Sequence, residues 1–520
     1  MRARVVAALL AAWVAPTYGA CEQELGETIT QSVMRPAVLA ETTSATPGEP
    51  DPTDPTDPAD PTDPTDPTDP TDPTDPTDPT EPTDPTDPTD PTDPTDPTDP
   101  TDPTDPTDPI DPPTHPARYP ADRIHSPLTP SVVARLEALL GVDPELAEDV
   151  FMKVGASSTV SSHNLACFAG SAFDLGAFGF LEATRASFLA GDAAGSDPFT
   201  RQTLAAQSGR SAVWAITGDP SPLEREYLAT SAAYAIVHYG TNDMQLGTSF
   251  QSALWGFGRN YLTLVDDLLS WGVIPVLVTI SARGDSVVAD RWVPTYNAVI
   301  RGVAQGRQVP LVDMHLAYAP LPNRGLASDG IHSNVAPGGA CLLTEAALQY
   351  GFNTRNLHHL VALDRLRATL VDGAAPPDPP GPALLGDGSP AAPFAIDGLP
   401  FTDLRSTADS PHRNLDVYTG CGASQDESGP EWLYRFEVAA PTRIRAAVHD
   451  RNEVDIDLHL LDHTASVEGC IARAHRIIER TLAPGVYHFA LDTFVSGGVE
   501  LAGEYLFTVV ACEPGDAACD

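Results

Sequence analysis

A serine placed just behind a glycine, at the end of an apolar run, is one way for a chain to expose a nucleophile. Residues 149–154 form such a run, Gly155 ends it, and Ser157 follows. Ser158, Thr159, Ser161 and Ser162 offer helix-start chemistry behind it. Far along the chain, Asp329-Gly-Ile-His332 sets a carboxylate three residues before an imidazole. A neutral hydroxyl needs three helpers to take an acyl group: a base, a group that orients the base, and donors for the oxyanion. His332 is the candidate base, since imidazole ordinarily titrates near neutral pH. Asp329, on the same side of a helical turn or tight loop, would hold one ring nitrogen and leave the other for Ser157. Between these blocks the strand-like run 234–239 closes in Gly240-Thr-Asn-Asp243. That stretch is by itself a good turn sequence.

The three blocks together, in this order, resemble the SGNH (GDSL-type) hydrolase superfamily over roughly residues 120–372. The resemblance implies a three-layer α/β/α domain with a mainly parallel sheet. It also implies a triad of Ser157, Asp329 and His332, and an oxyanion hole built from the Ser157 N–H, a glycine N–H and the Asn242 side chain. Gly209, in Ser208-Gly-Arg-Ser211, is the expected glycine, with Gly218 as the alternative. Where the family has Gly-Asp-Ser, this chain has Gly155-Ala156-Ser157. The departure leaves loop rigidity open, and with it the choice between Ser157 and Ser158; Ser157 keeps the spacing. The implied activity is hydrolysis of lipid, aryl or carbohydrate esters through an acyl-enzyme, with no cofactor and no metal. Two alternatives go with the same fold: an inactive surface binding protein and an acyltransferase.

Competing chemistries lack their residues. There is no Gly-x-Ser-x-Gly elbow and no His-Glu-x-x-His. Lys153 is the only lysine, which removes a Walker A loop and leaves one Schiff-base candidate. His358-His359 reads as packing or surface, and Arg283-Gly-Asp285 as a loop at the site's edge.

The elements that must position these residues alternate in type. Helical periodicity marks 130–140, 181–189, 262–271 and 296–304, while 273–280 and 309–314 read as buried strands. Alternation of this kind implies a parallel sheet covered by helices, with ligands at the carboxyl ends of the strands. This domain is expected over 113–372. A Pro-rich linker follows at 373–393, and a separate C-terminal β-sandwich over 394–520. The blocks Asp455-Ile-Asp-Leu-His-Leu-Leu461, Leu482-Ala-Pro-Gly-Val-Tyr487 and Gly503-Glu-Tyr505 resemble the bacterial pre-peptidase C-terminal domain. Asp455 and Asp457 alternate there, which reads as a solvent face rather than a calcium site.

The 520-residue chain carries a net charge of −43. The tract Asp51–Asp111 holds 21 acidic residues with no Lys or Arg, so the remainder is still −22. Such a chain repels nucleic acid and anionic membrane, and neither is an expected partner. Within 22–112 that tract repeats Asp-Pro-Thr, with lapses at Ala59, Glu81 and Ile110. It reads as a solvated stalk that could extend on the order of 190 Å in polyproline II. Residues 1–21 resemble an export signal: Arg2 and Arg4, an apolar stretch 5–14, and small residues before Cys21. Cys21 resembles the lipidated cysteine of a bacterial lipoprotein, although Tyr18 stands where Leu is usual. The seven cysteines leave Cys21 over once the others pair by domain: Cys167 with Cys341, Cys421 with Cys470, Cys512 with Cys519. The expectation is an exported, surface-tethered or secreted monomer.

Overall fold

The computed structural model describes residues 115–451, 453–516 and 519. The export signal 1–21, the lipidation candidate Cys21 and the stalk 22–112 lie outside the described residues.

Helix α1 (Pro130–Leu140) starts where the Thr129 side chain accepts the Val132 N–H, and it buries Val132, Val133, Leu136 and Leu139. Strand β1 (Ala147–Gly155) ends at the short helix α2 (Ser157–Val160). Helices α3 (Glu182–Ala190), α4 (Ala212–Ala215) and α5 (Pro222–Thr230) lead to β2 (Ala232–His238). Then come α6 (Phe250–Ser270), β3 (Ile274–Val278), α7 (Val287–Arg307) and β4 (Leu311–Val312). Helices α8 (Met314–Tyr318) and α9 (Gly351–Leu366) close the domain. The four strands lie side by side in the order β1-β2-β3-β4, all parallel. Every residue of β3 and nearly all of β2 is buried, so helices cover both faces of the sheet. After β1 the chain crosses outward, where Ala206 bridges Gly155 in parallel, and then returns inward to β2. The C-terminal end of β1 is therefore a switch point, where an open α/β sheet gapes.

Three segments differ from the sequence reading. Helix α6 begins twelve residues ahead of the expected 262, because Ser249 and Ser252 form a reciprocal capping box. Helix α7 runs straight through Pro294 from its cap at Ser286, so the expected start at 296 was too late. Strand β4 keeps only two residues, because Asp313 turns to cap α8 through the Leu316 N–H.

The C-terminal part is a sandwich with its own core, in which Phe401, Tyr434, Phe489 and Phe507 are buried. Its first strands are β5 (Phe394–Ile396), β6 (Phe401–Ser406), β7 (Trp432–Val438), β8 (Thr442–Asp450) and β9 (Ile456–Leu461). Strands β10 (Cys470–Ala474), β11 (Ile477–Leu482), β12 (Gly485–Thr493) and β15 (Glu504–Ala511) follow, with the small hairpin β13 (Val495–Ser496) and β14 (Val499–Glu500). One sheet has the order β10-β9-β12-β7-β5 and the other β11-β8-β15-β6. Asp457 does not face solvent. It is 3 % exposed and ion-pairs with Arg473, and His475 stands 3.3 Å from its other oxygen. Strand alternation misplaced it because Arg473 of the neighbouring β10 and His475 just past its end fold over that face.

The sandwich docks on α7. A Cβ on Gly306 would lie 2.4 Å from Leu404, and one on Gly302 would lie 2.5 Å from Leu506, so both glycines admit the sheet closely. Arg307 ties Asp266 and Glu504 together at 2.7 and 2.6 Å. Arg445, 1 % exposed, stacks 3.6 Å over Trp292 and reaches Asp516 at 2.6 Å. The three expected cysteine pairs are joined as disulfides: Cys167–Cys341, Cys421–Cys470 and Cys512–Cys519. Among the described residues, no helix is long and apolar enough to cross a membrane.

Candidate active site

Gly155 is needed for space rather than for a left-handed backbone. A Cβ there would lie 2.2 Å from Thr159 Oγ1 and 2.7 Å from the His238 carbonyl. The chain can thus leave β1 tightly against β2 and start α2 at Ser157. Ser157 Oγ lies 2.8 Å from His332 Nε2. His332 Nδ1 lies 2.7 Å from Asp329 Oδ2, and Asp329 Oδ1 accepts the N–H groups of Ile331 and His332, both at 3.0 Å. The Ile331 N–H, with the imidazole and the His332 N–H, holds the Asp329 carboxyl down at about 2. Ser157 and, 175 positions further on, His332 with its neighbour Asp329 therefore form one unbroken chain of hydrogen bonds. Ser158 also lines the cleft, but the bond to the imidazole belongs to Ser157.

The cleft over Ser157 has a volume of about 530 Å³ and takes in Gly209, Asn242 and His332. Gly209 sits at φ +75°, and a Cβ there would meet open space, so backbone conformation alone calls for glycine. Gly218, the alternative, does not line the cleft. The Asn242 amide donates to the Arg210 carbonyl at 2.8 Å, which joins the loop after β2 to the loop carrying Gly209. Lys153 is out of play for Schiff-base chemistry. It is 6 % exposed, donates to the Phe199 carbonyl at 2.8 Å, and is pushed down to about 8 by burial. His359 is fully buried and His358 bonds His125 at 3.0 Å, so this pair is packing. Arg283 is 3 % exposed and folds back on Asp285 at 2.7 Å, at the site's edge as expected.

Sequence reasoning passed over Asp243 and His238. Asp243, 1 % exposed, accepts the Ala212 N–H at 2.8 Å and the Gly240 N–H at 3.0 Å, and burial pushes its carboxyl up to about 6. His238 lines the cleft floor, and its Nδ1 accepts from Arg355 at 3.2 Å. Burial drives His238 well below the ordinary imidazole range, so the ring is neutral. The signal for Asp243 was in the sequence, as a carboxylate directly after a turn asparagine. Nothing in the sequence marked His238.

A serine, a base and its orienter aligned under a cleft is the equipment for acyl transfer. Residues 186–336 match the GDSL-like Lipase/Acylhydrolase family. The α/β part carries a GDSL-like acylhydrolase domain. Its activity is hydrolysis of carboxylic esters. The matched stretch takes in Asn242, Asp329 and His332 and begins downstream of Ser157, the block in which Ala156 departs from the family pattern. No curated protein matches the chain by sequence. A GDSL-like lipase from Bacteroides thetaiotaomicron is similar at 14% identity, over 45% of this chain and 98% of its own, with a TM-score of 0.27. An acetyl xylan esterase from Geobacillus stearothermophilus is similar at 15% identity, over 41% and 93%, with a TM-score of 0.30. The pre-peptidase C-terminal domain of a Bacillus anthracis collagenase is similar at 17% identity, over 24% and 99%, with a TM-score of 0.16.

Proposed function

We propose that this chain is an exported serine esterase in which Ser157 is acylated and then freed by water. The observation that carries the reading is the run Asp329–His332–Ser157, bonded at 2.7 and 2.8 Å. Ser157 Oγ attacks the acyl carbon while His332 Nε2 takes the hydroxyl proton. The ionised Asp329 steadies the imidazolium without taking the proton itself. The oxyanion is received by the Ser157 N–H, the Gly209 N–H and the Asn242 amide. Collapse breaks the ester C–O bond, and the alcohol leaves with the proton from His332. Water then adds to the acyl carbon, gives its proton to His332, and Ser157 leaves with that proton as the acid is released. The intact bonding chain weighs against an inert binding module.

Export is supported by the three disulfides, which persist in oxidising compartments. With six of the seven cysteines paired, Cys21 is the one left for a lipid anchor. The test is a rapid-mixing assay of the purified full-length protein with 4-nitrophenyl acetate. A burst of nitrophenol equal to the enzyme concentration, with an acetyl group trapped on Ser157 after acid quench, is expected. Hydrolysis with no trapped acyl group, or none at all, would contradict the proposal.

A further inference from the structure

The cleft differs in charge from the chain that carries it. The sequence holds 72 Asp and Glu against 29 Lys and Arg. Yet among the described residues no Asp or Glu lines the cleft, and one residue that does is Arg210. Arg210 is exposed. Its guanidinium lies 5.7 Å from the centre of the Trp214 ring, and its carbonyl is held by Asn242. It has no carboxylate partner among the described residues, although most arginines here have one. Acids near the cleft are already engaged: Asp243 with the Ala212 and Gly240 N–H groups, Asp285 with Arg283, and Asp329 with His332 and two N–H groups. Below the floor, Arg355 is 3 % exposed and bonds His238 rather than a carboxylate.

A guanidinium that lines the cleft over an aromatic ring, with no carboxylate partner among the described residues, is arranged for an anion from outside. Its planar fork matches a carboxylate in particular. The net charge of the chain does not cancel this at close range, because charges beyond about 8 Å are largely screened at physiological salt. We propose that Arg210 selects esters carrying a carboxylate near the scissile bond, on the acyl or the alcohol side. The inference rests on the esterase reading of Ser157 and leaves its bond-making unchanged.

The test measures kcat/KM of the full-length enzyme for two matched pairs. Mono-4-nitrophenyl glutarate against 4-nitrophenyl butyrate probes the acyl side. The acetate of 3-hydroxybenzoate against phenyl acetate probes the alcohol side. The readout is the charged-to-neutral ratio within each pair, so general losses of activity cancel. In Arg210→Gln the ratio should fall about 3- to 5-fold in at least one pair, the size expected of an exposed ion pair. Arg210→Lys, which keeps the charge but loses the planar fork, should keep only part of it, and about 1 M salt should erase it in the wild type. The pair that responds identifies the side on which the carboxylate sits. Ratios equal in wild type and Arg210→Gln for both pairs, or unmoved by salt, would overturn the inference while leaving the esterase intact. Failure to hydrolyse even the neutral esters would overturn the esterase reading, and this inference with it.

Discussion

The Asp243 carboxylate accepts the N–H of Ala212 at 2.8 Å, a residue 31 positions earlier in the chain. Its other oxygen takes the Gly240 N–H at 3.0 Å. One buried group thereby fixes the loop carrying Gly209 against the loop carrying Asn242. Asp243→Asn would turn an amide N–H₂ toward one of these donors, and kcat should drop about 10- to 100-fold through misplacement of the oxyanion donors. The pH dependence has a definite sign. The folded carboxyl sits at about 6 against an ordinary 3.8, so between those values the folded state binds more protons and stability falls as pH rises. The melting temperature of wild type minus that of Asp243→Asn should therefore fall from pH 4 to 6 and level off above. A constant difference would contradict this.

In the proposed mechanism Asp329 keeps the imidazole turned toward Ser157. Asp329→Asn should lower kcat by about 10²- to 10⁴-fold. Its side chain is 49% exposed, so the melting temperature at neutral pH should hardly move. Its carboxyl, held at about 2, stays ionised through any working pH, so no loss of activity between pH 4 and 8 should vanish in this variant's profile on its account.

The triad was legible because each member sits where a sequence signal marks a backbone event. Gly155 ends a strand, and Asp329-Gly330 makes a turn that sets His332 beside its orienter. The parallel sheet was legible from apolar runs without alternation. Asp457, the early starts of α6 and α7, and the shortness of β4 were not legible. Each depends on a side chain acting across space: Arg473 from β10, a serine capping box, a proline absorbed by a packed helix, and Asp313 turned to cap α8. His238 became part of the cleft only because β2 ends beside β1.

Asn242 and Gly209 should matter to the transition state more than to binding. Asn242→Ala should cost about 10²- to 10³-fold in kcat with little change in KM. A rise in KM at constant kcat would reassign Asn242 to ground-state contacts.

The disulfide Cys167–Cys341 links the segment after Ser157 to the segment after His332, across 174 residues. Cys167→Ala with Cys341→Ala should cost about 2–5 kcal/mol of stability. Denaturant unfolding measures it, and an unchanged midpoint would contradict the role given to this staple.

The most direct test is to react the full-length protein with a fluorophosphonate and map the adduct by mass spectrometry. The adduct should fall on Ser157 alone, persist in Ser158→Ala, and vanish in Ser157→Ala and His332→Ala. An adduct on Ser158, or none on the folded wild type, would contradict the assignment of Ser157 as the nucleophile.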